Sequence, residues 1–88
     1  MLKAKKEVTI MKSRKIRALL DHKKFAEELK KLGKTQEEFA EDMDMSDRYV
    51  RILSTVDRNV SISLAYAFSQ AFGVPIEYLL LVVEYKEE

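Results

Sequence analysis

The chain has 88 residues, with 16 Lys and Arg, 15 Asp and Glu, one His, two Gly and no Cys. This length allows one domain with a small core, and the lack of cysteine excludes disulfides and cysteine-based metal sites. The longest apolar run, Tyr78–Val83, is far shorter than the ~20 residues that span a bilayer, and the first ten residues lack a signal-peptide segment. We therefore expect a soluble cytoplasmic protein with no membrane association.

The net charge of +1 conceals an uneven distribution of charge. Residues 1–33 carry eleven Lys and Arg against four Asp and Glu, whereas residues 34–80 carry four against eight. Such a contrast is typical of a basic surface that meets nucleic acid, and equally of a solvated lysine-rich helix and arm. The lone histidine, His22, has no second ligand near it in the sequence and is expected to be solvated. A non-enzyme with no cofactor and no metal is expected.

Residues 13–32 follow a helical pattern in two parts. The apolar residues form two stripes at helical spacing, Ile16, Leu19 and Leu20 in the first and Phe25, Ala26, Leu29 and Leu32 in the second. The stripes do not share a register, and Asp21 lies between them as a candidate N-cap, so a break or kink is expected there. Gly33 predicts a left-handed cap at the helix end.

Residues 34–80 predict four more short helices, at about 36–43, 47–54, 62–72 and 75–80. Thr35 and Glu38 form a capping box at the first start, and Ser46 and Ser61 are candidate N-caps for the next two. Gly73 closes the third, and Pro75 suits the first turn of the last. The side chains expected inside are Phe39, Ala40, Met43, Val50, Leu53, Ile62, Ala65, Phe68, Phe72, Ile76, Leu79 and Leu80.

Two short helices joined by a tight turn, at 36–43 and 47–54, predict a helix-turn-helix. The segments "TQEEFAEDM" and "SISLAYAFSQAFGVPIEYLL", with Ser46, Val50 and Leu53 between them, resemble the family of phage repressors, Cro proteins and their bacterial relatives. The resemblance covers residues 25–80 and implies an all-α, lambda-repressor-like DNA-binding domain. We divide the chain into a basic arm (1–12), this domain (13–80) and a tail (81–88), with room for a short strand in the arm or the tail.

Four positions depart from the family pattern. Asp44 stands where the turn usually has glycine, and because Asp tolerates positive φ better than most residues, the turn is expected to survive at some cost. Leu29 and Ser54 replace an arginine and a glutamate that often pair, and losing both ends of an ion pair predicts a repacked domain. Val56 replaces a usual glycine, so the following loop is expected to take an unusual path.

The resemblance implies that helix 47–54 enters the major groove of DNA. At ~100° per residue, Val50 and Leu53 turn inward and the opposite face is left for bases. Gln36 would meet a phosphate at a helix start, and an arginine of the outward face would pair with guanine. The candidates for DNA binding are Gln36, Ser46, Asp47, Arg48, Tyr49, Arg51, Ile52, Arg58 and Asn59.

Acidic residues surround the same helices, and phosphates would repel them. Two arginines alone give weak binding, because this contribution scales with the number of phosphates neutralised. DNA binding would then need the basic segment, which comprises Lys3, Lys5, Lys6, Lys12, Arg14, Lys15 and Arg17. Two alternatives stay open: an antitoxin or anti-repressor type regulator that acts mainly through a protein partner, and an interaction scaffold that has lost DNA.

Apolar residues beyond the expected core predict a homodimer. They lie on helix 62–72 and in the tail, and comprise Leu64, Ala67, Ala71, Leu80, Leu81, Val82 and Val83. Two recognition helices about 34 Å apart would then read an inverted-repeat operator, as a repressor does. In the alternative interpretation, the tail folds back on its own domain and pairs with Val8 and Ile10 as a short strand.

Overall fold

The computed structural model describes residues 14–86, which form five helices and two strands. In chain order these are β1 (Arg14–Leu20), α1 (His22–Leu32), α2 (Gln36–Asp42), α3 (Asp47–Leu53), α4 (Ile62–Phe72), α5 (Ile76–Leu79) and β2 (Leu80–Lys86). The predicted class, a small helical domain with a helix-turn-helix, is confirmed. The predicted arm, residues 1–12, lies outside the described residues. No helix within residues 14–86 is long and apolar enough to cross a membrane.

The helix boundaries follow from local hydrogen bonds that the sequence predicts. The Asp21 carboxylate accepts from the backbone N–H groups of Lys23 and Lys24 at 3.0 and 3.3 Å. Thr35 and Glu38 form the predicted capping box, with distances of 3.0 and 2.9 Å. The remaining predicted caps are also present: Ser46, Ser61, Gly33 and Gly73. Each cap satisfies backbone groups that a helix end leaves unpaired, which is why α2, α3 and α4 begin at their predicted starts.

The helix predicted from residue 13 is wrong up to Leu20, because residues 14–20 form strand β1. This strand pairs antiparallel with β2, in a register that runs from Arg14 opposite Lys86 to Leu20 opposite Leu80. A short apolar run does not by itself distinguish a helix from a strand, and here the hydrogen-bonding partner lies more than 60 residues away. The tail therefore folds back on its own domain, but its partner is β1; Val8 and Ile10 lie outside the described residues.

Four phenylalanines form the centre of the core. Phe25 of α1 meets Phe39, Phe68 and Phe72 edge to face, with ring centroids 5.8, 5.1 and 5.4 Å apart. Such aromatic pairs contribute ~0.5–1.5 kcal/mol each beyond the area that they bury. Phe25, Phe39 and Phe68 are buried and Phe72 is half-buried. The remaining buried hydrophobic side chains are Leu20, Leu29, Ala40, Val50, Leu53, Ala65 and Leu79. The core thus joins β1 to all five helices.

One residue predicted inside the core, Ile62, and one residue of a predicted apolar stripe, Leu32, lie at the surface. Ile62 was expected on the inner face of its helix, but its side chain is 69% exposed, whereas Ala65 and Phe68 are buried. Ile62 is the first residue of α4, and at that end the helix extends past the buried part of the core. Leu32 is likewise 38% exposed at the last residue of α1. In both cases the apolar residue continues the helical pattern, but it stands at a helix end where no other part of the described chain buries it.

The family's missing ion pair is replaced by local packing. Leu29, at the arginine position, is 5% exposed within the core. Ser54, at the glutamate position, is half-buried and donates its hydroxyl to the Val50 carbonyl at 3.0 Å. Neither site is left with an uncompensated charge, which agrees with the predicted repacking.

The turn between α2 and α3 contains the one non-glycine residue of the described chain with positive φ. Asp44 has φ of 58°, and the Met45 N–H that follows it donates to the Ala40 carbonyl at 2.9 Å. The predicted left-handed conformation of Asp44 is confirmed. An L-residue meets a clash between Cβ and carbonyl oxygen in this conformation, so the turn is strained relative to one with glycine.

Replacing Asp44 should change stability in opposite directions for glycine and alanine. Asp44→Gly is expected to stabilise the fold by about 0.5–1 kcal/mol, because glycine adopts positive φ without the clash. Asp44→Ala is expected to destabilise it by a similar amount, since alanine keeps the clash and is less tolerant of positive φ than Asp. Urea unfolding at neutral pH measures both changes. A lower unfolding midpoint for Asp44→Gly than for the natural chain would contradict the strain assigned to this residue.

Candidate nucleic-acid interface

Helix α3 is held by one face and leaves the other open. Val50 and Leu53 are fully buried, and Tyr49 is half-buried where it packs against the core. Ser46 begins the helix by accepting from the Tyr49 N–H at 3.1 Å. Asp47, Arg48 and Arg51 are exposed, as predicted, and Ile52 is half-buried. The open face therefore offers two guanidinium groups and one carboxylate, which suit hydrogen bonds to base edges.

Three of the predicted DNA-binding residues meet in one cleft between α2 and α3. Gln36, Asp47 and Arg51 line a cavity of about 220 Å³, together with Thr35 and Glu37. The helix-turn-helix angle brings residues 36 and 51 together although they are 15 positions apart. Arg48 does not line this cleft, so the two arginines point to different parts of the open surface.

The loop after α3 is anchored to the junction of β1 and α1. The Asp57 carboxylate accepts from the His22 N–H at 3.0 Å and contacts the His22 ring Nδ1 at 2.6 Å. Beside it, the backbones of Leu20 and Arg58 exchange two hydrogen bonds, of 2.7 and 3.2 Å. The expectation that His22 is merely solvated is therefore wrong. No local signal predicted this contact, because His22 and Asp57 are 35 residues apart.

The His22 contacts lower the pKa of Asp57 from its ordinary value of 3.8. The backbone hydrogen bond from His22 is the largest cause, and the hydrogen bond from its side chain is second, since both favour the charged carboxylate. Arg58 and Asn59, both exposed, follow directly in the chain. The anchor therefore fixes the backbone that carries these two predicted DNA contacts.

Asp21, His22 and Asp57 are the described residues that come closest to a metal site. Their ligand atoms lie within 4.8 Å of one another. However, Asp21 caps α1, and His22 and Asp57 bond to each other. These hydrogen bonds account for the cluster, and a metal would have to displace them.

Two lysines that were not among the predicted DNA-binding residues also lie at the candidate site. Lys30 and Lys34 line a cleft of about 270 Å³ with Thr35 and Gln36, next to the predicted phosphate contact. Both are exposed, and Lys34 also pairs with Asp42 of α2. Helical spacing could not have predicted this, because α1 ends at Leu32 and Lys34 lies beyond the left-handed Gly33 cap.

The acidic residues around the helix-turn-helix are exposed, but some are already occupied. Glu38 accepts from the Thr35 N–H in the capping box, and Asp42 pairs with Lys34. Glu37, Glu41, Asp44 and Asp47 have no such side-chain partner among the described residues. Those four carboxylates set the local electrostatic cost of bringing a phosphate close.

The residues predicted for a dimer interface fall into two groups. On α4, Leu64 and Ala71 are half-buried against the chain's own core, and Ala67 is half-buried. On β2, Leu80 is half-buried, whereas the next three residues are exposed, Leu81 by 38%, Val82 by 67% and Val83 by 36%. The strand therefore offers more apolar surface to a partner than α4 does at the predicted positions.

A family model described as helix-turn-helix matches residues 25–79, which is well over half of the chain. No curated protein and no solved structure matches the chain. The match runs from within α1 to the end of α5 and includes every candidate DNA-binding residue, while both strands lie outside it.

Asp57→Asn should lower stability at neutral pH and have less effect in acid. A carboxyl group whose folded pKa is lowered stabilises the fold above its unfolded pKa, and this contribution is lost as pH falls through the folded value. The difference between the natural chain and Asp57→Asn should therefore narrow steadily below the ordinary value of 3.8. Urea unfolding measured between neutral pH and pH ~2.5 checks this. Glu41→Gln, which neutralises an exposed carboxylate of α2, is the control; an equal effect there would contradict a specific role for the anchor.

Proposed function

The chain belongs to the Cro/C1-type helix-turn-helix family of DNA-binding transcription regulators, and we propose that it is a repressor that reads an inverted-repeat operator as a homodimer. The observation that carries the proposal is the open face of α3, where Arg51 and Asp47 share a cleft with Gln36 at the start of α2. We propose that it acts without catalysis and without a cofactor. The proposed location is the cytoplasm, where such a regulator binds its operator.

Arg48 and Arg51 are the proposed base readers. A guanidinium group pairs bidentately with the O6 and N7 atoms of guanine, and both side chains are exposed on the open face. Asp47 would accept from a cytosine amino group, since its carboxylate lies beside Arg51 in the same cleft. Ile52 is half-buried and would present the rest of its surface to a thymine methyl. Ser46 and Tyr49 lie at the flanks of this contact.

A second set of residues is proposed to hold the phosphate backbone. Gln36 stands at the first residue of α2, and Lys30 and Lys34 line the neighbouring cleft. On the other side of α3, Arg58 and Asn59 are presented by the anchored loop. Contacts to phosphates fix the position of a protein on the duplex, whereas the base contacts give the sequence preference. The basic segment that precedes α1 is proposed to add further charge.

Action through a protein partner is the alternative, and one observation favours it. Glu37, Glu41, Asp44 and Asp47 present unpaired carboxylates around the recognition helix. A basic protein surface would be attracted by the same charges that repel DNA. An antitoxin, an anti-repressor or an interaction scaffold would use the face in this way. Copurification of a stoichiometric basic protein that is released by raising the salt concentration would support this alternative.

Selection of bound sequences from a random duplex pool tests the proposed function directly. The natural chain should enrich an inverted repeat whose half-sites are about one helical turn apart. Arg51→Ala should reduce discrimination at one base pair of each half-site by roughly 5- to 150-fold, which corresponds to ~1–3 kcal/mol for a bidentate contact. Arg58→Ala is the matched control: it should weaken all sequences alike and reduce the slope of log affinity against log salt by about one per bound copy.

The outcomes separate the candidate functions. If the folded protein enriches no sequence at low salt, the proposed DNA reading is refuted. Enrichment of a sequence that Arg48→Ala and Arg51→Ala both leave unchanged would place the base contacts elsewhere.

A further inference from the structure

Strand β2 forms one edge of a two-stranded sheet, and its outer backbone groups point away from the chain. Leu20 directs its N–H and C=O to Arg58, so the opposed residues Leu20 and Leu80 do not bond to each other. Bonded and non-bonded pairs alternate in an antiparallel ladder, so Leu19 bonds to Leu81, and Ala18 does not bond to Val82. The N–H and C=O of Val82 therefore face outward, away from β1.

The two edges of this sheet differ in how they are protected. Strand β1 contains Arg14, Lys15 and Arg17, and its inner end is held by the Arg58 backbone. Strand β2 begins with four residues, Leu80–Val83, that include no charge, no proline and no glycine. Val82 is 67% exposed, and its neighbours on the opposite face of the strand, Leu81 and Val83, are 38% and 36% exposed. Charged residues usually protect an exposed edge strand, and an uncharged apolar edge is a template for another strand.

From this edge we infer that β2 pairs with β2 of a second copy of the chain, which builds a continuous four-stranded antiparallel sheet. The inference rests on the proposed function in one respect, since it supplies the interface of the proposed homodimer. The pairing is centred on Val82, so that Val82 lies opposite Val82 of the other copy and Leu81 lies opposite Val83. Glu84 then lies opposite Leu80, and no like charges face each other.

A second copy fits this edge because of symmetry and charge. An antiparallel pair of identical strands has a two-fold axis perpendicular to the sheet, so one patch serves as both halves of the interface. Centring the axis on Val82 places the outward N–H and C=O of that residue opposite the same groups of its partner, which satisfies both copies at once. Centring it on Glu84 would bring two carboxylates together, which disfavours that register. The same two-fold axis would relate the two α3 helices for the proposed operator.

Cysteine cross-linking tests the interface, and the chain offers a matched control. It has no cysteine, so any disulfide must form between introduced thiols. A bonded antiparallel pair has Cα atoms ~5.5 Å apart, within the range of a disulfide. Val82→Cys should therefore give a covalent dimer under mild oxidation. Ile62→Cys, at an apolar β-branched residue with 69% exposure on α4, should stay largely uncrosslinked.

Charge substitution gives a second readout that does not depend on oxidation. Val82→Lys should weaken dimerisation by about 10- to 100-fold in sedimentation, because two like charges would face each other across the axis. An equimolar mixture of Val82→Lys and Val82→Glu should restore the dimer as a mixed species. Since the Val82 side chain is largely exposed, the circular dichroism spectra of the separate variants should stay close to that of the natural chain. Ile62→Lys should leave the dimer intact.

Several results would overturn the inference. A natural chain that is monomeric at high concentration would do so. A dimer that survives Val82→Lys, or that is lost in Ile62→Lys, would place the interface elsewhere. These measurements are made without DNA, so they test the dimer separately from the proposed function. A dimer that behaves as expected but enriches no DNA sequence would refute DNA reading and leave the β2 interface standing.

Discussion

The contacts among four phenylalanines are the constraint on which the rest of the structure depends. They are the only phenylalanines of the chain, and ring centroids 5.1–6.5 Å apart join α1, α2 and α4. Phe39 fixes α2, and Val50 and Leu53 then hold α3 against the same core. A chain of 88 residues has a small core, so few other contacts could replace this cluster. The angle between α2 and α3 is therefore a product of packing, and the open face of α3 results from it.

The surroundings of α3 are held by polar contacts between distant parts of the chain. Asp57 bonds to His22, and Arg58 bonds to Leu20, so two adjacent residues tie the loop after α3 to the junction of β1 and α1. The backbone groups of Leu20, His22 and Arg58 that form these bonds are satisfied, which removes a cost that an untied loop would carry. The result is a fixed platform for Arg58 and Asn59 beside α3. Near the end of α3, the Ser54 hydroxyl donates to the Val50 carbonyl, and Leu29 of α1 is buried in the core.

The carboxylates around α3 repel phosphates, so we expect DNA binding by this domain to need positive charge from other surfaces as well. The helix-turn-helix presents two arginines among several carboxylates, and single-domain binding of this kind is weak because affinity depends on phosphates neutralised. Lysines at the end of α1 add positive charge next to Gln36. Two copies would double every contact at little further entropic cost, since the second domain binds within the same complex. In the proposed dimer, the uncharged edge of β2 would bring the two copies together.

The sequence by itself determined those features that depend on neighbouring residues. Caps at Asp21, Thr35, Ser46, Ser61, Gly33 and Gly73 are local hydrogen bonds or local backbone conformations, and all of them lie where the sequence placed them. The positive φ of Asp44 and the inward face of α3 are local in the same sense. Only the tertiary structure decided that residues 14–20 form a strand, because their partner is β2 at the far end of the chain. The exposure of Ile62, the His22–Asp57 contact and the meeting of Gln36 with Arg51 likewise depend on distant residues, which no local periodicity encodes.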